Sequence, residues 1–364
     1  MAYCRGEAQV SGRLARLRAG LRERGADAIL VFGLENMRYL SGFTGDSGAV
    51  LISETAAVLI TDFRYVEQAR EEAPGFRIVK HDDFFETLAG EVRGLGLRSL
   101  AYEGDKVSVR RFARLQEVLP EVSWVDQNGL VEGLRAVKDE EELKFIAEAA
   151  AIADQAFTHI LQYVREGVTE REIALELEWY LKRHSEGPAF TTIVASGPRG
   201  ALPHAQPTDK ELRRGELVVL DWGAVVNGYH SDMTRTVAVG AADARSREIY
   251  EIVLRAQLAG LEAVRPGRCG REVDAVAREV IAAAGYGEYF GHGLGHGVGL
   301  AIHEDPPRLS PRGESLLAAN MVVTVEPGIY LPGFGGVRIE DLVVVTDEGA
   351  RRLSQSPKDL MIVG

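Results

Sequence analysis

The sequence predicts a two-domain α+β protein, in which a smaller domain of alternating strands and helices precedes a larger one that repeats a helix, helix, strands unit. Three observations predict it. Apolar strand-like runs alternate with helical runs through the first 125 residues, the chain beyond is similar to itself at an offset of 99 to 100, and 364 residues exceed one average domain.

In the first domain, ADAILVF (26–32), GAVLIS (48–53), AAVLIT (56–61) and RSLAYEG (98–104) read as strands. Between them, RYVEQAREEA (64–73), FFETLAGEVRGL (84–95) and VRRFARLQEVL (109–119) carry helical spacing. DQNG at 126–129 supplies turn chemistry and sets the expected boundary, giving domains 1–128 and 129–364. Beyond it, residues 138–164 form a long amphipathic pattern with acids in the first turn, where the helix dipole favours them. Thr169 and Glu172 make a capping-box pattern that opens a second helix to about Arg183. Helices near 243–264 and 270–284 repeat that order, so antiparallel strands flanked by two pairs of helices are expected.

The repeat is visible in three ordered blocks. REGVTEREI (165–173) aligns with RPGRCGREV (265–273), GALPHAQP (200–207) with GLAIHEDP (299–306), and LVVLDWG (217–223) with MVVTVEPG (321–328) after one inserted residue. The alignment sets Asp221 on Glu326, Asp232 on Glu340 and His204 on His303. Groups of chemical interest therefore occur in matched pairs, as expected if each half contributes to one site at a seam.

Each of the four acids lies in or beside an apolar run that reads as a buried strand: VVLDWG (218–223), SDMTRTVAVG (231–240), VVTVEPG (322–328) and VRIEDLVVV (337–345). An ionised carboxylate there is costly unless it is paired or coordinates a metal. With His296 they make a ligand set, Asp221, Asp232, His296, Glu326 and Glu340, for two adjacent divalent metals. Two such metals activate a bridging water and polarise a carbonyl. Glu326 is the candidate base that passes the proton to the leaving nitrogen. His204 and His303, outside the ligand set, are candidate donors to the carbonyl or oxyanion.

Composition excludes other classes. Hydrophobic residues at 46% with 26% charged are ordinary for a soluble chain, and no apolar run approaches the roughly 20 residues of a membrane helix. No secretory signal is visible at the N-terminus, so a cytoplasmic location is expected. Cys4 and Cys269 form no framework and read as incidental thiols. A net charge of −12 speaks against nucleic acid. GDSG (45–48) lacks placed His and Asp partners for a serine nucleophile, GHGLGHG (291–297) lacks dinucleotide-binding spacing, and the prolines after HED (303–305) exclude a zinc helix.

The blocks LDWGAVVNGYHSDMTRT, GHGLGHGVGLAIHEDP, TVEPGIY and VRIED resemble metallopeptidases of the pita-bread fold, specifically the proline-specific branch with Xaa-Pro dipeptidase (prolidase) and Xaa-Pro aminopeptidase. NMRYLSGFTGDSGAVLI (36–52) is similar to the creatinase-type N-terminal domain, and LRAVKDEEEL (134–143) resembles the usual join. The resemblance implies a C-terminal pita-bread catalytic domain with internal duplication behind a smaller α/β domain, acting on proline-containing peptides as a homodimer. It implies that Asp232 and Glu340 bridge the metals, that Asp221 completes one ion, and that His296 and Glu326 complete the other. Within the glycine-rich stretch it makes His296 the ligand and His292 a contact for the proline carboxylate.

Arg338, two residues before Glu340 and so expected on the same strand face, would orient that acid or bind a substrate carboxylate. Tyr229 and Tyr330 lie close to ligands in sequence. A carboxylate-rich site suits Mn²⁺, and one imidazole leaves Co²⁺ and Zn²⁺ open. Between the two proline-specific activities the dipeptidase is favoured, because the 14-residue interval from Glu326 to Glu340 leaves little room for a long inserted loop. Other readings are the aminopeptidase on longer peptides, a methionine aminopeptidase with the same metal set, and a non-catalytic peptide-binding module. Loss of ligands would mark the last.

Overall fold

A computed structural model describes residues 2–364, with side chains described from Gln9 onward, so the expectation for Cys4 lies outside them. The chain divides into two compact units, Met1–Arg135 and Ala136–Gly364. The first contains α1 (Ala2–Glu23), β1 (Ala28–Val31), α2 (Leu34–Ser41), β2 (Ala49–Ser53), β3 (Ala57–Thr61) and α3 (Val66–Glu72). It continues with β4 (Arg77–Lys80), α4 (Phe84–Gly94), β5 (Ser99–Tyr102), α5 (Val109–Val118), β6 (Ser123–Asp126) and α6 (Leu130–Ala136). Its sheet runs β4-β3-β2-β1-β5-β6. Leu30, Leu51, Ile60, Val92 and Leu115 pack into one core there.

The edge strands β4 and β6 are only partly buried and carry no apolar run, which is why period alone does not reveal them. The turn at 126–129 does not end this unit. Glu132 and Arg135 of α6 bond the Asn36 side chain at 2.6 and 2.7 Å, and the Tyr39 hydroxyl donates to the Leu134 carbonyl at 3.1 Å.

The second unit begins with α7 (Glu140–Ile160) and α8 (Glu170–His184), each opened by a capping box, then β7 (Ile193–Ser196), β8 (Leu217–Trp222), the short hairpin β9 (Val225–Val226) and β10 (Tyr229–His230), and β11 (Met233–Val239). The second repeat follows with α9 (Ala244–Ala263), α10 (Gly270–Ala283), β12 (Gly295–Gly297), β13 (Glu304–Leu309) and β14 (Val322–Val325). It closes with β15 (Gly328–Leu331), β16 (Gly335–Arg338), β17 (Asp341–Val345), β18 (Ala350–Arg352) and β19 (Met361–Val363). The sheets are β19-β11-β8-β7 and β13-β12-β14-β17-β18. Each helix pair covers its own sheet: Phe157, Leu177 and Trp222 share one core, Val253, Ile281 and Val323 the other.

The repeat extends to backbone bonds. Gly167 N–H donates to Leu212 O at 2.9 Å and Gly267 N–H to Leu317 O at 2.7 Å, both glycines with φ near +80. That left-handed turn favours glycine and aims the chain into the capped second helix.

One expected strand is broken. VRIEDLVVV divides between β16, paired with β15 in a hairpin, and β17 in the five-stranded sheet, with Ile339 and Glu340 crossing between them. The crossing is held at the seam of the two halves: Glu340 N–H donates to Thr234 O at 3.1 Å, and the Thr236 hydroxyl donates to Arg338 O at 2.9 Å. Buried Arg235 reinforces it, donating to the Glu340 carbonyl, to Asp341 at 2.8 Å and to Ser356 O at 2.8 Å.

Candidate metal centre and cleft

Asp221 stands near the end of β8, Asp232 just before β11, Glu326 just after β14 and Glu340 just before β17, so strand ends from both repeats deliver the four acids. His296 is the middle residue of β12. Ligand atoms of Asp232, His296 and Glu340 lie within 4.8 Å of one another, and His296 Nε2 is 3.4 Å from Glu326 Oε1 and 3.5 Å from Asp232 Oδ2. Asp221 joins through Arg338, which donates to its Oδ2 at 2.6 Å. The other oxygen, Asp221 Oδ1, is buried without a hydrogen-bond partner. A buried unpaired acceptor beside three further carboxylates is what a cation would satisfy.

Electrostatics agree. Burial, then the crowding charges of Glu340, Asp221 and Glu326, push Asp232 well above the ordinary carboxylate range. Burial, followed by Glu326 and Asp221, does the same to Glu340. Burial pushes Glu326 up to about 7. For His296, burial and then His303 lower the pKa to about 3, so the ring stays neutral with a lone pair to offer. Its Nδ1 faces the Gly297 carbonyl at 3.0 Å, which assigns the proton to Nδ1 and leaves Nε2 free to bind metal.

His292 is turned elsewhere. Its Nδ1 lies 2.8 Å from Gly293 O, and its Nε2 lies 2.8 Å from the Tyr330 hydroxyl, which receives Arg338 Nη1 at 2.9 Å. Arg338 also donates to Thr234 Oγ1 at 3.0 Å and Pro203 O at 3.3 Å. Burial opposes its charge, but Tyr330, Asp221, Glu326 and Glu340 outweigh that and hold it cationic.

Two threonines absent from the sequence reading complete the cluster. Thr234 donates to Glu340 Oε2 at 2.6 Å, and Thr324 receives the His296 N–H and faces Glu326 Oε1, both at 3.1 Å. The signal was present, since each stands two residues from an acid and hence on the same strand face. Tyr229 instead donates to Glu142 at 2.9 Å and stacks on Phe145.

A cleft of about 1010 Å³ opens beside the cluster, lined by Arg199, His204, Gln206, Tyr289, His292 and Tyr330 among others. His204 and His303 are exposed, and the His303 ring centroid is 4.2 Å from that of His296. His204 therefore lines the cleft, while its repeat-matched partner His303 stands exposed beside the ring of His296.

A duplicated domain that buries three acids at its seam, with a fourth acid and a neutral imidazole half-buried among them, beside an open cleft, defines a metal-dependent hydrolase. The comparisons with known proteins make it specific: the chain belongs to metallopeptidase family M24, matched over residues 144–347, with a Creatinase/Prolidase N-terminal domain over 13–137. The pita-bread fold follows. An Xaa-Pro dipeptidase structure from Bacillus anthracis is similar with a TM-score of 0.94 at 46% identity, covering 97% of this chain and 100% of that one. The Xaa-Pro dipeptidase of Pyrococcus furiosus is 41% identical over 96% of this chain and 99% of its own. An X-Pro aminopeptidase structure from Thermotoga maritima has a TM-score of 0.86 at 41% identity, covering 93% and 98%.

Proposed function

We propose that this metallopeptidase hydrolyses the bond before proline in short peptides, with an Xaa-Pro dipeptide as the preferred substrate. The observation that carries the reading is the cluster of Asp232, His296 and Glu340, with Glu326 3.4 Å from His296 and an orphaned buried oxygen on Asp221. Relatives named Xaa-Pro dipeptidase supply the bond specificity. An X-Pro bond has no N–H, so it escapes proteases that grip a backbone hydrogen there.

In this reading the five residues hold two divalent ions, with Mn²⁺ first because four donors are carboxylates. Bound, the ions would supply water activation and carbonyl polarisation. Glu326 takes the proton of the attacking water and hands it to the proline nitrogen. His204 on the cleft wall and the exposed His303 donate to the carbonyl oxygen as negative charge develops. Arg338, buried and engaged through all three nitrogens, aims Asp221 rather than meeting substrate. His292 lines the cleft with both ring nitrogens engaged, so it would meet the proline end through its ring and not through a hydrogen bond.

The test is metal-free enzyme reloaded with Mn²⁺, Co²⁺ or Zn²⁺ and given Ala-Pro, Ala-Ala, Ala-Pro-Ala and Met-Ala-Ser. Ala-Pro should lead in kcat/KM. Equal cleavage of Ala-Pro-Ala would move the assignment to the aminopeptidase, the reading favoured by the Thermotoga maritima structure, and preference for Met-Ala-Ser would overturn proline specificity.

A further inference from the structure

The segments that deliver the cleft histidines, the proline-containing loop GPRGALPHAQP (197–207) and the glycine-rich GHGLGHG (291–297), offer few large apolar side chains for packing. Something else must fix them, because a displacement of about 1 Å at a reacting group can cost about 100-fold in rate. We propose that the second helix of each repeat carries a clamp of positioning residues for its own half: Glu170 with Arg199 for His204, and Asp274 with Arg278 for His292 and His296. What those histidines do rests on the function proposed above; the clamping does not.

Glu170, fully buried at the start of α8, ties together both ends of the His204 segment. Its Oε1 receives the Ser196 N–H at 2.8 Å and the Ser196 hydroxyl at 2.9 Å. Its Oε2 receives the Thr208 N–H at 3.1 Å, the Thr208 hydroxyl at 2.8 Å and Arg199 Nε at 2.9 Å. One carboxylate thus closes the loop in which His204 sits, with every lone pair used.

On α10 the work is divided. Arg278 Nη1 donates to Phe290 O at 2.8 Å and Nη2 to His292 O at 2.7 Å, while Asp274 Oδ1 receives the Leu294 N–H at 2.9 Å. The pair is locked by Arg278 Nε on Asp274 Oδ2 at 2.8 Å, and the guanidinium lies 4.3 Å over the Phe290 ring. Carbonyls on both sides of Gly291 and the amide beyond Gly293 are held from one helix face.

The two clamps are not copies. The repeat sets Glu170 opposite Gly270, where a Cβ would stand 2.0 Å from the Arg308 carbonyl, so no acid fits there. The second half places its acid one turn farther along, at Asp274, opposite Ala174. Different positions arriving at one task in both halves is the mark of a shared requirement rather than of ancestry.

Ring ¹H–¹³C resonances of the eight histidines in the zinc-loaded full chain read each clamp separately. Glu170→Gln should shift and broaden His204 while His292 and His296 stay in place. Asp274→Asn and Arg278→Met should do the reverse and weaken zinc binding about 10- to 100-fold, as support of metal ligands does elsewhere. On Ala-Pro, Glu170→Gln should lower kcat about 10-fold or more at unchanged zinc affinity. Arg278→Lys, which still reaches one carbonyl, should recover part of the zinc affinity lost in Arg278→Met. If Glu170→Gln does not fold, Ser196→Ala removes one donor and should carry the same His204 signature. Variants that shift all three histidines alike, or that lower Tm with all three unmoved, overturn the clamps. A wild type inert on Ala-Pro would instead sink the proposed activity and leave the resonances as the test.

Discussion

Arg338 donates to one oxygen of Asp221 at 2.6 Å while the other oxygen is buried with no hydrogen-bond partner, so the guanidinium fixes the carboxylate and leaves one buried lone pair open. Both groups are buried, with side chains 4% and 11% exposed. Arg338→Met should fold with stability reduced by roughly 3–5 kcal/mol, the usual effect of stranding one member of a buried pair. It should also bind metal about 10- to 100-fold more weakly. Urea unfolding and calorimetric metal titration separate the two effects. Wild-type metal affinity in the folded variant would remove the aiming role.

How far the sequence carried this site depended on which neighbours share a strand. Asp221 and Glu326 were legible as charge in apolar runs, and their pairing across the repeat followed from alignment. That His296 and not His292 faces the acids depends on Tyr330, whose hydroxyl occupies His292 Nε2 from 38 residues away. Arg338 and Glu340 do meet, yet not by sharing a strand face: they converge on Thr234 across a crossing between two sheets. α1 was missed although Leu14, Leu17 and Leu21 are buried at helical spacing with arginines between them, which is the amphipathic pattern.

The exposed pair His204 and His303 should act on turnover alone. Neither approaches the acids as His296 does, so His204→Ala and His303→Ala should retain both metals and lose about 10²- to 10³-fold in kcat, the range for one oxyanion donor. Metal analysis beside steady-state kinetics decides it. Metal loss in either variant would move that histidine into the ligand set.

Glu170 makes stability depend on pH in a defined direction. Burial alone would raise its carboxyl, but the donors of Ser196, Thr208 and Arg199 outweigh it and hold the pKa below the ordinary value. A depressed folded-state pKa contributes stability above the unfolded value of about 4.3, and that stability is lost as pH falls through the folded pKa. The Tm advantage of wild type over Glu170→Gln should therefore be full at neutral pH and shrink steadily below about pH 4.3. An advantage constant down to about pH 3 would show that the carboxylate charge contributes nothing.

Lys138 and Glu304 form a second buried pair, 2.9 Å apart, with side chains 1% and 6% exposed. Lys138 also donates to Ala136 O at 3.3 Å, and Glu304 directly follows His303, its carboxylate packed against Gly299. Lys138→Met removes the cation facing this buried carboxylate and should cost roughly 3–5 kcal/mol, whereas replacing both partners with apolar groups is often neutral. The double variant Lys138→Met, Glu304→Leu should then be more stable than Lys138→Met alone, with a coupling of roughly 0.5–3 kcal/mol between the sites. Strictly additive losses in urea unfolding would mean the two charges do not depend on each other. Because Glu304 borders His303, Lys138→Met should also lower kcat on Ala-Pro at full metal occupancy, by tilting the histidine beside His296.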